Sequence, residues 1–155
     1  LNNKTGGSST TLVALEDDDV HKVSLAGLPS KSSRNNHPMA VHTLTKCAGA
    51  AKGDTRIVVM SDDFAVGPLA SAIAKAFPLF SKKSKPGTDR KVHVVFCKSD
   101  GSLVDDEEQL KASRVVASGV QLAARLVDSH PELLTTTQFA KEVEALVADH
   151  PKVQM

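Results

Sequence analysis

Six histidines, two cysteines and eighteen acidic residues are the side chains of this 155-residue chain that could bind a metal ion. None of the histidines forms an HExxH motif or a short HxH pair, and neither cysteine lies at zinc-ligand spacing from a histidine. Three of them precede a proline, which is typical of loops and helix ends, and His93 alternates within a predicted strand, so we interpret it as a surface or half-buried residue. The sequence therefore predicts no metal ligand. The six histidines are His21, His37, His42, His93, His130 and His150.

The patterns that mark covalent catalysis and phosphate binding are missing from the sequence. No GxSxG nucleophile elbow occurs, and neither a P-loop nor a GxGxxG follows any predicted strand. The adjacent carboxylates of Asp62 and Asp63 precede a predicted helix, where two N-cap residues are a simpler interpretation than an acid–base pair. Gly49 and Gly53 are the nearest candidates for a loop that holds nucleotide phosphates. The residues by themselves thus predict no catalytic, cofactor-binding or metal-binding site.

Charge and aromatic content limit the classes of partner. Nineteen basic and eighteen acidic residues give a net charge of +1, so no bulk field attracts nucleic acid or a membrane. The basic loop at residues 82–85 could contact phosphate, but five Phe without Trp or Tyr leave little for base stacking. No apolar run reaches transmembrane length, and the first residues are unlike a signal peptide. Cys47 and Cys97 form no CxxC motif, which favours free thiols in a reducing, cytoplasmic location.

In the first two thirds of the chain, the sequence predicts several strands and one helix, which lies between the last two strands. Residues 11–15 and 20–25 are predicted to pair as a hairpin after a frayed or tag-derived terminus at 1–10, and residues 39–44 as a further strand. The apolar runs at 55–60 and 92–97 are typical of buried strands. Between them, Val66, Leu69, Ala70, Ile73 and Phe77 repeat with helical spacing. This order predicts an α/β fold, in which a mixed β-sheet is flanked by helices.

The C-terminal third predicts two helices separated by the segment 129–131. Val116, Val120, Ala123 and Val127 fall at i, i+4, i+7 and i+11, and further apolar residues widen this stripe, which predicts that the face packs on a core. The widening residues are Leu110, Ala112, Val115, Gly119, Leu122 and Leu126. Acidic residues at 105–108 suit the positive end of the first helix dipole. The second helix opens with Thr135 and Gln138 at capping-box spacing, and its apolar positions then follow the helical period. Those positions are Phe139, Val143, Leu146 and Val147.

Residues 119–139, GVQLAARLVDSHPELLTTTQF, resemble the junction between the N-terminal and catalytic domains of the leucyl aminopeptidase family. In that family a G-x-R-L-A-R-x-L-V helix precedes a short N/D-T-P-x-N segment and a second helix with an early Phe. Upstream, residues 71–81, SAIAKAFPLFS, resemble the probable aminopeptidase-like branch of the same family. Residues 129–132 depart from the family pattern, since Ser-His-Pro-Glu replaces the usual Thr-Pro-x-Asn, and residues 1–54 show no resemblance that we can name. The matching positions are Gly119, Leu122, Ala123, Arg125, Leu126, Val127, Asp128, Thr136 and Phe139.

The resemblance implies a macro-domain-like α/β fold and a cytoplasmic, hexameric parent enzyme that releases N-terminal residues from peptides. In such enzymes two divalent metals, zinc or manganese, activate water and polarise the scissile carbonyl, and their ligands lie in a C-terminal domain with an N-T-D-A-E-G-R signature. That signature does not occur in this sequence. We therefore expect residues 1–128 to be an N-terminal macro-like domain. We expect residues 129–155 to be a linker and first helix leading to an absent catalytic domain.

The resemblance also fixes the expected partners and leaves alternatives. An accessory domain of this kind is expected to contact its own catalytic domain and other subunits, to be inactive alone, and to bind neither nucleic acid nor membranes. The alternative is a macro-like module that binds ADP-ribose or another nucleotide, for which Gly49 and Gly53 are the nearest loop residues. A third hypothesis, nucleic-acid binding, is disfavoured by the neutral charge.

Overall fold

The structure is a computed structural model, and it describes residues 8–14, 20–29, 31, 33–36, 39–61, 66–79 and 90–148. Four strands and four helices occur in these ranges, in the order ββαβαβαα. The elements are β1 (Ser8–Ala14), β2 (Val20–Ala26), α1 (Val41–Gly49), β3 (Thr55–Met60), α2 (Val66–Ala76), β4 (Val92–Cys97), α3 (Glu107–Asp128) and α4 (Thr136–Val147). The predicted α/β class is confirmed.

The first two strands form the predicted antiparallel hairpin. Their register pairs Ser8 with Ala26 and Ala14 with Val20. β1 begins at Ser8, so residues 8–10 belong to a strand, whereas the sequence predicted a frayed terminus there. The hairpin is a two-stranded sheet of its own among the described strands. The structure thus contains one antiparallel and one parallel sheet.

Helix α1 occupies the segment that the sequence assigned to a third strand at residues 39–44, and that prediction is wrong. Val41, Leu44 and Ala48 recur at helical spacing, and the last two are buried. The Thr45 hydroxyl lies 3.0 Å from the carbonyl oxygen of Val41 and 2.9 Å from that of Ala72 in α2. The short alternation of apolar residues was therefore misleading, because packing against α2 selects the helical period over the strand period.

Strands β3 and β4 run parallel and are joined through α2, as predicted. The register pairs Thr55 with Val92 and Met60 with Cys97. In β3 only Val59 is buried, while Val58 and Met60 are exposed. The prediction of a buried strand is therefore wrong for one face of this sheet, because the helices that the structure describes cover the other face.

The core lies between the sheet and α2. Leu69 of α2 is 1% exposed, and Ile73 on the same face packs with Val59 and Phe96 of the two strands and Leu44 of α1. These positions are the helical repeat predicted from the sequence. α2 therefore joins the sheet, α1 and α3 into one packed unit.

A turn at residues 98–101 follows β4. Gly101 adopts a φ of 85°, a left-handed conformation that favours glycine. The Asp100 carboxylate accepts hydrogen bonds from the Ser102 hydroxyl and amide, and these bonds lower the pKa of Asp100. The chain then folds back, and the amide of Val104 donates to the carbonyl of Phe96 at 3.0 Å. This return directs the chain into α3.

Replacing Leu69 should strongly destabilise the domain. We expect Leu69→Ala to lower the free energy of unfolding by about 2–5 kcal/mol, because it removes buried methyl groups and leaves a cavity. The matched control is Leu79→Ala, since Leu79 is 70% exposed, and it should change stability by at most about 0.5 kcal/mol. Urea unfolding followed by circular dichroism measures both. Equal effects of the two substitutions would show that α2 does not form the core.

Candidate functional site

The described histidines considered as possible metal ligands lie on separate elements of the structure. His42 and His93 are exposed on α1 and β4, and His21 lies in β2. The Nδ1 atom of His130 lies 3.7 Å from a carboxylate oxygen of Glu132, and both side chains are exposed. His37 and His150 lie outside the described residues. No three His, Cys, Asp or Glu side chains within the described ranges are grouped closely enough to hold a metal ion.

The other candidates are distributed in the same way. Cys47 is half-buried on α1 and Cys97 is buried in β4, and both are free thiols. The acidic pair at residues 62–63 and the basic loop at 82–85 lie outside the described residues, so their predicted roles stay predictions. Gly49 ends α1, and Gly53 adopts a φ of 68° in the turn before β3. Both glycines therefore lie at the amino end of the parallel strands, whereas ligands of such sheets bind beyond the carboxyl ends, which argues against a phosphate loop here.

The surface with the clearest functional potential is the outer side of α3 and α4. Helix α3 packs on α2 through a face that includes Leu110, buried Ser113 and half-buried Ala117. On the other side of the helix, Val115 is 68% exposed and Val127 is 83% exposed. α3 is therefore apolar on two sides, and only one of them is covered within the described part of the chain.

The centre of the stripe predicted to pack on the core thus lies on the wrong side of α3, whereas Leu110, one of the residues that widen the stripe, does pack on the core. Val116 and Val127 are exposed, Ala123 is exposed, and only Val120 is half-buried. The packing residues lie about 100° further round the helix, where Ser113 interrupts the apolar pattern. Ser113 is accommodated there because its hydroxyl donates to the Leu110 carbonyl at 2.7 Å. Because Ser113 interrupts the apolar pattern of the packing side, the periodicity predicted burial of the more uniformly apolar side instead.

Helix α4 also has exposed apolar side chains. None of its side chains is buried, and Phe139 and Leu146 are 46% and 44% exposed. We use the name outer face for the exposed apolar side chains of both helices. The outer face consists of Val115, Val116, Val127, Phe139 and Leu146.

The segment between the two helices is a hydrogen-bonded turn. The Ser129 hydroxyl donates to the Arg125 carbonyl at 2.6 Å, and the amides of Leu133 and Leu134 donate to the His130 carbonyl at 2.8 and 3.0 Å. The Thr135 hydroxyl caps α4 by accepting from the amide of Gln138, which confirms the predicted cap. The residues that depart from the family pattern thus still form an ordered connection.

An ion pair joins the two helices across this turn. The guanidinium of Arg125 in α3 donates to the carboxylate of Glu142 in α4, and the two side chains are 33% and 23% exposed. This hydrogen bond lowers the pKa of Glu142 and raises the pKa of Arg125. The sequence contained no pattern that predicted the pairing of Arg125 with Glu142, because this pairing depends on the direction that the turn gives to α4.

Comparisons with known proteins identify the family. A model of the M17 aminopeptidase N-terminal domain 2 matches residues 2–86. The chain belongs to the M17 aminopeptidase family. The match begins at residue 2, so it includes residues 2–54, for which the sequence showed no resemblance that we could name, and most of the terminus interpreted as frayed or tag-derived. The predicted resemblance to the leucyl aminopeptidase family is confirmed, and the family-model match includes residues 71–81.

Individual relatives support the same assignment. The probable aminopeptidases NPEPL1 of Mus musculus and Homo sapiens are each 31% identical over 128 residues, which are 77% of this chain. The chain spans 24% of the length of these relatives. Among solved structures, leucyl aminopeptidase from Leishmania major in complex with actinonin superposes with a TM-score of 0.73 at 24% identity, over 96% of this chain and 31% of that one. The leucine aminopeptidase of Caenorhabditis elegans gives 0.67 at 22% identity, over 81% and 26%. These two likenesses show the fold.

The pH dependence of stability should reveal the ion pair. Because the pKa of Glu142 lies below its ordinary value of 4.5, its contribution to stability is complete above that pH and is lost as the pH falls through the lowered value. We expect the wild-type chain to lose more stability between pH 7 and pH 3 than Glu142→Gln loses. Urea unfolding at both pH values measures this difference.

The matched control is Glu144→Gln, which removes an exposed carboxylate from the same helix. It should lose stability with falling pH as the wild type does. If Glu142→Gln and the wild type had the same pH dependence, the ion pair would not hold the two helices together in solution.

Proposed function

We propose that this chain is the N-terminal accessory and assembly domain of a two-metal leucyl aminopeptidase, which releases N-terminal amino acids from peptides. The observation that carries the proposal is the outer face, an exposed apolar surface on the two C-terminal helices of a chain from the M17 family. An exposed apolar surface of this kind marks an interaction site. Its partner is the catalytic domain of the same polypeptide.

The roles proposed for this chain and for the catalytic domain follow from the residues that the chain contains. Residues 1–128 form the accessory domain, and residues 129–155 lead towards the catalytic domain. The described residues do not fit a two-metal centre, since no three metal-binding side chains converge among them. The zinc or manganese ions that activate water in this chemistry are therefore assigned to the catalytic domain, and no hydrolytic step is assigned to this chain. Its role is to support assembly of a homohexamer and to shape access to the active site.

Other properties support a cytoplasmic setting without nucleic-acid or membrane partners. Cys47 and Cys97 are free thiols, which suits a reducing compartment. The net charge of +1 supplies no long-range attraction for a polyanion. None of the described helices is both long enough and apolar enough to cross a bilayer.

Peptidase activity should require more than these residues. We expect the purified 155-residue chain to hydrolyse no leucine amide in the presence of Mn²⁺ or Zn²⁺. A longer polypeptide that adds the metal-ligand signature should hydrolyse it and should lose activity on chelation, because the ions supply the nucleophile. Peptidase activity of the 155-residue chain by itself would overturn the proposal that hydrolysis belongs to the catalytic domain.

In isolation the chain should self-associate through its outer face. We expect dimers or larger species in sedimentation velocity at high protein concentration, because burying exposed Phe139 and Leu146 removes apolar area from water. The double substitution Phe139→Ser and Leu146→Ser should shift the chain towards monomer. As a control, Leu79→Ser removes a similarly exposed apolar side chain outside the outer face and should leave association unchanged. A wild-type chain that stays monomeric at high concentration would count against the outer face as an interface.

A further inference from the structure

A second apolar surface lies where α3 meets α2, and it includes none of the outer-face residues. Helices α2 and α3 and strand β4 border a groove with a volume of about 530 Å³. Ile73 of α2 and Phe77, directly after that helix, line the groove. Val94 lines it from β4, and Leu110 and Ala117 line it from α3. This volume is within the range of about 300–1,000 Å³ typical of small-molecule sites. The groove takes no part in the proposed contact with a catalytic domain.

The polar side chains at the groove differ in whether they already have a partner within the protein. The Ser113 hydroxyl donates to the Leu110 carbonyl, and the Gln121 side-chain amide donates to the Phe77 carbonyl at 3.2 Å. Arg114 is exposed and lines the groove, and no carboxylate pairs with it in the described part of the chain. Among the residues that the structure describes, Arg114 is therefore a cation at the groove that can bind an anionic group.

The described residues that line the groove carry charge of one sign. Among them Arg114 is the only charged residue, and none of them is acidic. Close by, the guanidinium of Arg90 lies 4.5 Å from the centre of the Phe77 ring, which lines the groove. An occupant must therefore be mostly apolar and carry a negative group.

We propose that this groove binds a medium- or long-chain carboxylate, with the hydrocarbon chain between α2 and α3 and the carboxylate on Arg114. A planar guanidinium can bind both oxygens of a carboxylate, which makes it the suitable cation for such a head group. The apolar walls account for the chain, because each buried methylene group adds to affinity. This assignment is independent of the proposed peptidase role, since it uses neither the outer face nor a metal.

Calorimetric titration of the 155-residue chain with decanoate, below the concentration at which decanoate forms micelles, tests the proposal. We expect saturable binding with one site per chain. Octanoate has two fewer methylene groups and should bind about 15-fold more weakly, at about fourfold for each group. Decyltrimethylammonium has the same chain length and the opposite charge, and it should not bind. Failure of decanoate to bind, or equal binding of the cationic amphiphile, would overturn the assignment.

Substitutions at the groove locate the site. Arg114→Met should weaken decanoate binding about tenfold or more, because it removes a charge-assisted hydrogen bond. Lys111→Met removes a neighbouring cation of α3 that does not line the groove and should leave binding unchanged. Ala117→Phe should fill the groove and abolish binding while circular dichroism shows a folded chain. Equal effects of Arg114→Met and Lys111→Met would show only a general attraction to positive charge and would overturn the groove assignment.

A lipid membrane is the other possible source of a carboxylate group with hydrocarbon chains. Co-sedimentation with vesicles of phosphatidylcholine containing anionic phosphatidylserine distinguishes the two sources. We expect no binding to the vesicles, because the net charge of the chain is only +1. Vesicle binding that Ala117→Phe leaves unchanged would assign the interaction to the surface of the protein and would refute the groove. None of these measurements depends on peptidase activity, so their failure and failure of the proposed function are distinguishable.

Discussion

Burial of the apolar side of α2 is the interaction on which the rest of the structure depends. Leu69 and Ile73 pack against Val59 and Phe96 of the parallel strands, and the same helix supports α1 and α3. A two-stranded parallel sheet has little stability of its own, since parallel strands are normally covered on both faces. Here one face is covered through α2, and the exposed side chains of Val58 and Met60 mark the other. The position of every neighbouring element follows from its contact with α2.

Helix α3 illustrates how one element can serve two surfaces. Its inner side packs on α2 around Ser113, and its outer side presents Val115 and Val127 to solvent. A helix that is apolar on both sides is expected to be covered on both sides in its working form. This expectation, together with membership of the M17 family, leads to the proposal that the helix pair meets a catalytic domain.

The connection between α3 and α4 shows that a departure from a family pattern need not disturb the geometry of a junction. Residues 129–132 differ from the usual family segment, and yet the turn is closed by the Ser129 hydroxyl and by two amides that bond to the His130 carbonyl. The pair of Arg125 and Glu142 then links the helices beyond the turn. The direction of α4, and with it the extent of the outer face, follows from these local bonds. The groove beside Arg114 lies where α3 meets α2 and uses none of the outer-face residues, so the two surfaces can act separately.

The α/β class, the hairpin, the βαβ unit around α2, the cap at Thr135 and the family were all accessible from the sequence. Each depends on local signals, namely periodicity, turn residues and motif order, which act within a few positions of the chain. The choice between helix and strand at residues 39–44, the buried side of α3, the partner of Arg125 and the groove beside Arg114 were decided only by the tertiary structure. In each of these cases the local pattern allows two arrangements of similar energy. Contacts between residues that are distant in sequence, such as Thr45 with Ala72 and Gln121 with Phe77, select one of them.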